Sequence, residues 1–135
     1  DFIGMDAALR GTIIASEEGI AEIAIGGELV YAATPLPPGI EVLVGIRPED
    51  VMLFEASHEL PASSARNHLH MRVEAIERRG STDRISLASN GLRLAAAVSR
   101  AAVRELGLET GSTVAALFKA TSVRVEAAAS VPGGV

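Results

Sequence analysis

The sequence predicts an all-β fold: a tandem of two small closed barrels, with one short helix in the second half. Three observations carry that prediction. Short apolar runs recur at regular intervals between turn-forming residues, the spacing of a small barrel, and two such units make a tandem. The pattern of residues 38–53, PGIEVLVGIRPEDVML, returns in residues 110–125, TGSTVAALFKATSVRV. The second copy sets Gly111 on Gly39, Val114 on Val42, Phe118 on Ile46, Lys119 on Arg47, Val123 on Val51 and Val125 on Leu53, at a constant offset of 72 positions. Finally, residues 99–107 are the only good helix in the chain.

The first strand is expected over residues 9–15 (LRGTIIA), turning at Glu17-Glu18-Gly19. Residues 21–25 alternate loosely and end at Gly26-Gly27, a two-residue hairpin signal, with a return strand over 28–34. Pro35, Pro37 and Pro38 lack backbone donors, so residues 35–39 cannot belong to a central strand. A strand over 41–46 leads into the turn Arg47-Pro48-Glu49-Asp50 and a further strand over 51–54. Residues 55–63 (EASHELPAS) are a polar connector, and the halves divide there into 1–58 and 59–135. The second half repeats the plan with strands over 69–76, 84–88 and 92–98, turning at Arg79-Gly80-Ser81 and Ser89-Asn90-Gly91.

Gly27 and Gly91 stand 64 positions apart, against 72 for the later strands. The eight extra residues coincide with the helix: Ser99 as N-cap, Ala102, Val103 and Leu106 on one face, Gly107 as the stop. Neither half is long enough to bury much core alone, so the two are expected to pack together or against another chain.

Composition narrows the function. The 135 residues are 48% hydrophobic and 21% charged, a folded composition, without an apolar run long enough to span a membrane and without a visible signal peptide. Absence of cysteine excludes disulfides and thiolate metal sites and fits a cytoplasmic protein. The chain starts at Asp1-Phe2 without a methionine, which suggests a fragment or a processed chain. Aromatic residues are 3%, too few to stack bases, so nucleic acid is not an expected partner. The net charge of −5 is unevenly spread. Residues 1–60 hold two basic residues against eleven acidic ones, and residues 61–135 hold ten against six, which favours a small anion at the second half.

No phosphate loop, nucleophile elbow or HExxH helix is present, so no catalysis is expected of this chain. His68 and His70 share a strand face, but with His58 elsewhere they lack a third ligand, and no metal is expected. The turn Ser63-Ser64-Ala65-Arg66-Asn67 gathers hydroxyls, a guanidinium and an amide, donors that can converge on an anion or simply make a polar turn. Ser99 caps the helix, which alone explains it; the open N–H groups there can also meet an anion. Lys119 is followed by Ala120, Thr121 and Ser122, hydroxyls without a carboxylate, whereas Arg47 has Glu49 and Asp50 in its own turn. The second copy is therefore expected to meet an outside anion, and the first to be neutralised internally.

Ser64-Ala65-Arg66-Asn67 with Leu69, Val98-Ser99-Arg100, Glu105-Leu106-Gly107-Leu108 and Ala116-Leu117-Phe118-Lys119-Ala120-Thr121 together resemble the molybdate-binding (Mop) type of TOBE domain. Gly45-Ile46-Arg47-Pro48-Glu49-Asp50-Val51 is similar to the regulatory region that follows the nucleotide-binding domain of ABC importer ATPases, and Asp1-Phe2-Ile3-Gly4 to the junction between them. The resemblance implies an OB-like fold and a C-terminal regulatory domain of an importer ATP-binding subunit of the molybdate/tungstate type. It further implies homodimerisation, an upstream ATPase domain, a membrane permease as partner, and a cytoplasmic location at the inner face of the membrane, without insertion into it.

Carried over by position, Ser64, Ala65, Arg66, Asn67, Ser99, Lys119 and Thr121 are the expected oxyanion-binding residues, with molybdate or tungstate as ligand and no cofactor. Ala102 stands where the family often has a second hydroxyl, and Met71 where it has glycine. The alternative is a ligand-free dimerisation domain of a sugar-, polyamine- or metal-type importer ATPase.

Overall fold

The computed structural model describes residues 8–56 and 59–128, so the readings that fall on Asp1-Phe2-Ile3-Gly4 and on His58 lie outside the described residues. The first half runs through β1 (Leu9–Glu17), β2 (Ile20–Ile25), β3 (Glu28–Ala33), β4 (Glu41–Gly45), a 3-10 turn (Pro48–Asp50) and β5 (Met52–Glu55). The second runs through β6 (Asn67–Arg79), β7 (Thr82–Ser89), β8 (Leu92–Ser99), the helix α1 (Arg100–Leu106), β9 (Thr113–Phe118), a second 3-10 turn (Ala120–Ser122) and β10 (Arg124–Ala127). All strand pairs are antiparallel.

Local chemistry accounts for the joints. The β2–β3 and β7–β8 hairpins close on Gly26-Gly27 and Asn90-Gly91, and Gly26 (φ 59), Asn90 (φ 46) and Gly91 (φ 87) supply the left-handed backbone that such two-residue turns need. Helix α1 is capped as expected: the Ser99 hydroxyl accepts from the Ala102 N–H at 3.1 Å, and Gly107 ends it in the left-handed conformation. The helix buries no residue fully; Val103 and Leu106 lean on the core, and Arg100 ties it to Asp83 at 3.1 Å and to the Gly80 carbonyl at 2.8 Å.

The first strand of each half serves two partners. Residues 9–12 of β1 pair with β4, while residues 12–17 pair with β2 across a bulge between Ile13 and Ala15. In β6, residues 67–72 pair with β9 and residues 72–79 with β7, with the bulge between Val73 and Ala75. A bulge bends its strand and lets the sheet coil. The dual pairing is why β6 extends past both ends of the strand expected over 69–76.

The strands that close each half are exchanged. The two sheets have the orders β10-β4-β1-β2-β3 and β5-β9-β6-β7-β8. Thus β5 leaves the first half to pair with β9, Met52 opposite Leu117, and β10 returns to pair with β4, Arg124 opposite Gly45. Both registers obey the 72-residue offset, so the exchange is reciprocal. One hydrophobic core results, running from Ile13, Ile23 and Val44 in the first half to Met71, Leu87 and Phe118 in the second. In β9 every residue from Val114 to Phe118 is buried, so its side chains are covered on both faces and not only on the Val114, Ala116, Phe118 side.

Two polar contacts fasten the halves. At the hairpin tips, the Asn90 carbonyl accepts from the Gly27 N–H at 2.7 Å, and the Glu28 carboxylate accepts from the Ser89 hydroxyl and the Asn90 amide. A Cβ on Gly26 would lie 2.7 Å from the Asn90 oxygen, so only glycine permits that approach. At the other contact, the Asn67 carboxamide accepts from the Tyr31 N–H at 2.8 Å and donates to the Tyr31 carbonyl at 2.9 Å, extending the open edge of β3 as a strand would.

Candidate functional site

The second 3-10 turn and the segment entering β6 meet beside β5. Ser63, Ser64 and Ala65 line one concavity of ≈ 370 Å³ with Lys119 and Ser122, over an apolar floor that includes Met52, Phe54 and Phe118. Lys119 reaches this place because β9 pairs with β6 so that Phe118 lies opposite Asn67, setting the next residue beside the Ser63–Arg66 turn. The turn is braced from two sides. The Ser63 hydroxyl accepts from the Ala65 N–H at 3.2 Å, and His68 Nε2 lies 2.7 Å from the Ala65 carbonyl, so that ring nitrogen carries the proton and donates. Lys119 is exposed and ion-pairs with no described residue.

Of the seven residues expected to bind an oxyanion, the fold brings Ser64, Ala65 and Lys119 together. The other four sit elsewhere. Arg66 turns toward the β1–β2 hairpin, lining a separate concavity with Glu17, Glu18, Ile20 and Tyr31. Asn67 is buried, with both ends of its amide used on Tyr31. Thr121 lines a neighbouring cleft with Arg47, Asp50, Ser122 and Arg124. Ser99 pairs with Thr82, which pairs with Arg79, at the opposite end of the thirteen-residue β6 from Asn67. Its hydroxyl accepts from Ala102 and keeps its own proton for an outside acceptor.

The electrostatic expectation is corrected here. Lys119 is not free of acids: Glu49 and Asp50 line its concavity. They arrive from the first half because β5 is exchanged, which lays the first 3-10 turn beside β9. Arg47, conversely, makes no ion pair with Glu49 or Asp50 and faces the hydroxyls of the second turn. Within the 72-residue repeat no acid stands near Lys119, so only the strand exchange reveals these neighbours. Ser63 and Ser122 are further hydroxyls of the concavity. The backbone bond from the Ser122 N–H to the Lys119 carbonyl, 3.0 Å, is the one-turn spacing that stacks Ser122 over Lys119. Among the described residues no group of three His, Asp or Glu could hold a metal ion.

Two five-stranded antiparallel sheets built from repeated units, with polar turns gathered at strand ends, define an OB-like β domain. Residues 63–125 match the TOBE domain family. The chain is 41% identical over 85 residues to the molybdate/tungstate import ATP-binding protein WtpC of Pyrococcus horikoshii, covering 63% of this chain and 24% of that protein. It is 36% identical over 124 residues to the molybdenum import ATP-binding protein ModC of Brucella abortus, covering 89% of this chain and 34% of that protein. The chain therefore spans about a quarter to a third of the length of these relatives. Among solved structures it is similar to the cytoplasmic molybdate-binding protein ModG, crystallised with molybdate bound, with a TM-score of 0.77 and 28% identity over 93% of this chain and 99% of that one. No helix among the described residues is long and apolar enough to cross a membrane.

Proposed function

We propose that this chain is the oxyanion-responsive regulatory domain of an importer ATP-binding subunit. It binds molybdate or tungstate at a subunit interface and couples ligand occupancy to import. The observation that carries this reading is the meeting of Ser64, Ala65 and Lys119 in one concavity, in a chain related to molybdate and tungstate importer subunits. Lys119 supplies the cation, and the Ser64 hydroxyl and the turn backbone supply donors for a tetrahedral dianion. The separation of Ser99 from Lys119 within one copy supports a shared site, in which the helix start of a second copy brings Ser99 to the first copy's concavity. That second copy also adds donors against the Glu49 and Asp50 carboxylates, which lower the affinity of one copy alone. Residues 59–135 form the binding half, and residues 1–58 join it to an ATPase domain working with a membrane permease at the inner face of the membrane. Catalysis belongs to that ATPase domain.

Calorimetry with molybdate and with sulfate tests the proposal. Molybdate is expected to bind with release of heat, Lys119→Ala and Ser64→Ala each to weaken it about tenfold or more, and sulfate to bind more weakly. A folded, dimeric protein that takes up no oxyanion would sink the sensor reading.

A second reading, a ligand-free dimerisation domain of a related importer, has its own support. Asn67 is spent on Tyr31, the Ala65 N–H on Ser63, and two carboxylates line the Lys119 concavity. The same titration decides between the two readings.

A further inference from the structure

The strand exchange creates a second cleft that is the image of the Lys119 concavity. Adding 72 to Arg47, Glu49, Asp50 and Met52 gives Lys119, Thr121, Ser122 and Arg124. The Lys119 concavity contains Glu49, Asp50, Met52, Lys119 and Ser122. Its image under the repeat is Thr121, Ser122, Arg124, Arg47 and Asp50, and those five residues are the lining of the neighbouring cleft of ≈ 270 Å³. Same backbone, inverted chemistry: two carboxylates and a thioether in one copy become two hydroxyls and a guanidinium in the other.

We propose that this cleft is an anion-binding site of its own, formed between the two 3-10 turns and suited to a small tetrahedral dianion. Its groups are Arg47 from the first half, Arg124 from the second, the Thr121 and Ser122 side chains, and one opposing carboxylate, Asp50. Two guanidiniums against one carboxylate leave a net positive charge, whereas Lys119 stands against two carboxylates in its own concavity. Neither Arg47 nor Arg124 ion-pairs with any described residue. Guanidinium forks donate in pairs to oxyanion edges, and the hydroxyls add donors at fixed positions. Arg47 precedes β5 and Arg124 opens β10, so an anion held by both would tie the two exchanged strands together across the repeat. This site stands on Arg47 and Arg124 and is independent of the Lys119 reading.

The test titrates the chain, at low salt, with inorganic phosphate and with molybdate, comparing wild type with Arg47→Gln, Arg124→Gln and Lys119→Gln. Amide spectra follow the Thr121 and Arg124 N–H groups, whose residues line this cleft and not the Lys119 concavity, and circular dichroism verifies the fold of each variant. The expected result is anion-dependent movement of those two amides, with affinity weakened about tenfold by either arginine substitution and preserved in Lys119→Gln. Binding unchanged in both arginine variants, or no binding of either anion to the folded wild type, overturns the proposal. Amide movement lost in Lys119→Gln and kept in both arginine variants overturns this cleft; the Lys119 site is judged separately by the calorimetric titration with molybdate, so either proposal can fail alone.

Discussion

Asn67 shows how one side chain can serve the fold in a motif that reads as binding chemistry. Its carboxamide presents an acceptor and a donor with the spacing of a backbone unit, and Tyr31 on the edge of β3 takes both. Removing it strands two part-buried backbone groups, each worth about 1 kcal/mol net. Asn67→Ala is therefore expected to cost about 2–3 kcal/mol, read as a lower urea midpoint at unchanged slope. Asn67→Asp is expected to be at least as damaging, because it sets a carboxylate oxygen against the Tyr31 carbonyl. A loss below about 0.5 kcal/mol in Asn67→Ala would mean that water replaces the amide there, and that the pin between halves contributes nothing. The residue type was legible as an amide in a polar turn. Its partner was not, since Tyr31 lies 36 positions away and no local pattern links them.

At the scale of elements, α1 is the part the sequence states most openly. Cap, apolar face and glycine stop all lie within nine residues, so their physics is local, and the observed helix agrees. Ser99→Ala is expected to cost about 1 kcal/mol through the lost cap, and Gly107→Ala about 1–2 kcal/mol because an L-residue resists the left-handed backbone, both by thermal or urea melting. Because Ser99 is also a proposed ligand donor, Ser99→Thr should retain stability and anion affinity together. A variant that restores the cap but not binding would separate the two roles. The strands were legible too, although β6 ran longer than its apolar run. Its ends are polar residues held by pairing to β9 and β7, and pairing is not written in hydropathy.

The whole molecule is organised by the exchange of β5 and β10. A half comprising residues 1–58 carries β5 without β9 to receive it, and leaves β4 with an unpaired edge. A half comprising residues 59–135 has the reciprocal defect. Each half made alone is expected to be largely unfolded or aggregated through its open edges, and the two mixed are expected to recover native circular dichroism and dispersed amide spectra. Either half folding alone to a monomer with a full native spectrum would show that the exchange is dispensable.

By itself the sequence determined the all-β class, the 72-residue repeat, the hairpin turns, the helix and the family resemblance. Each depends on alternation, glycine and proline conformation, or motif order, which act within a few residues or recur along the chain. The tertiary structure decided which turn faces which. The repeat is equally compatible with strands kept at home or traded, because the copies share their spacing and pair in the same register. Trading them moved Glu49 and Asp50 beside Lys119 and set Thr121 and Ser122 against Arg47. Electrostatics depends on distance through space, so a charge pattern read along the chain left Glu49 and Asp50 out of the Lys119 concavity.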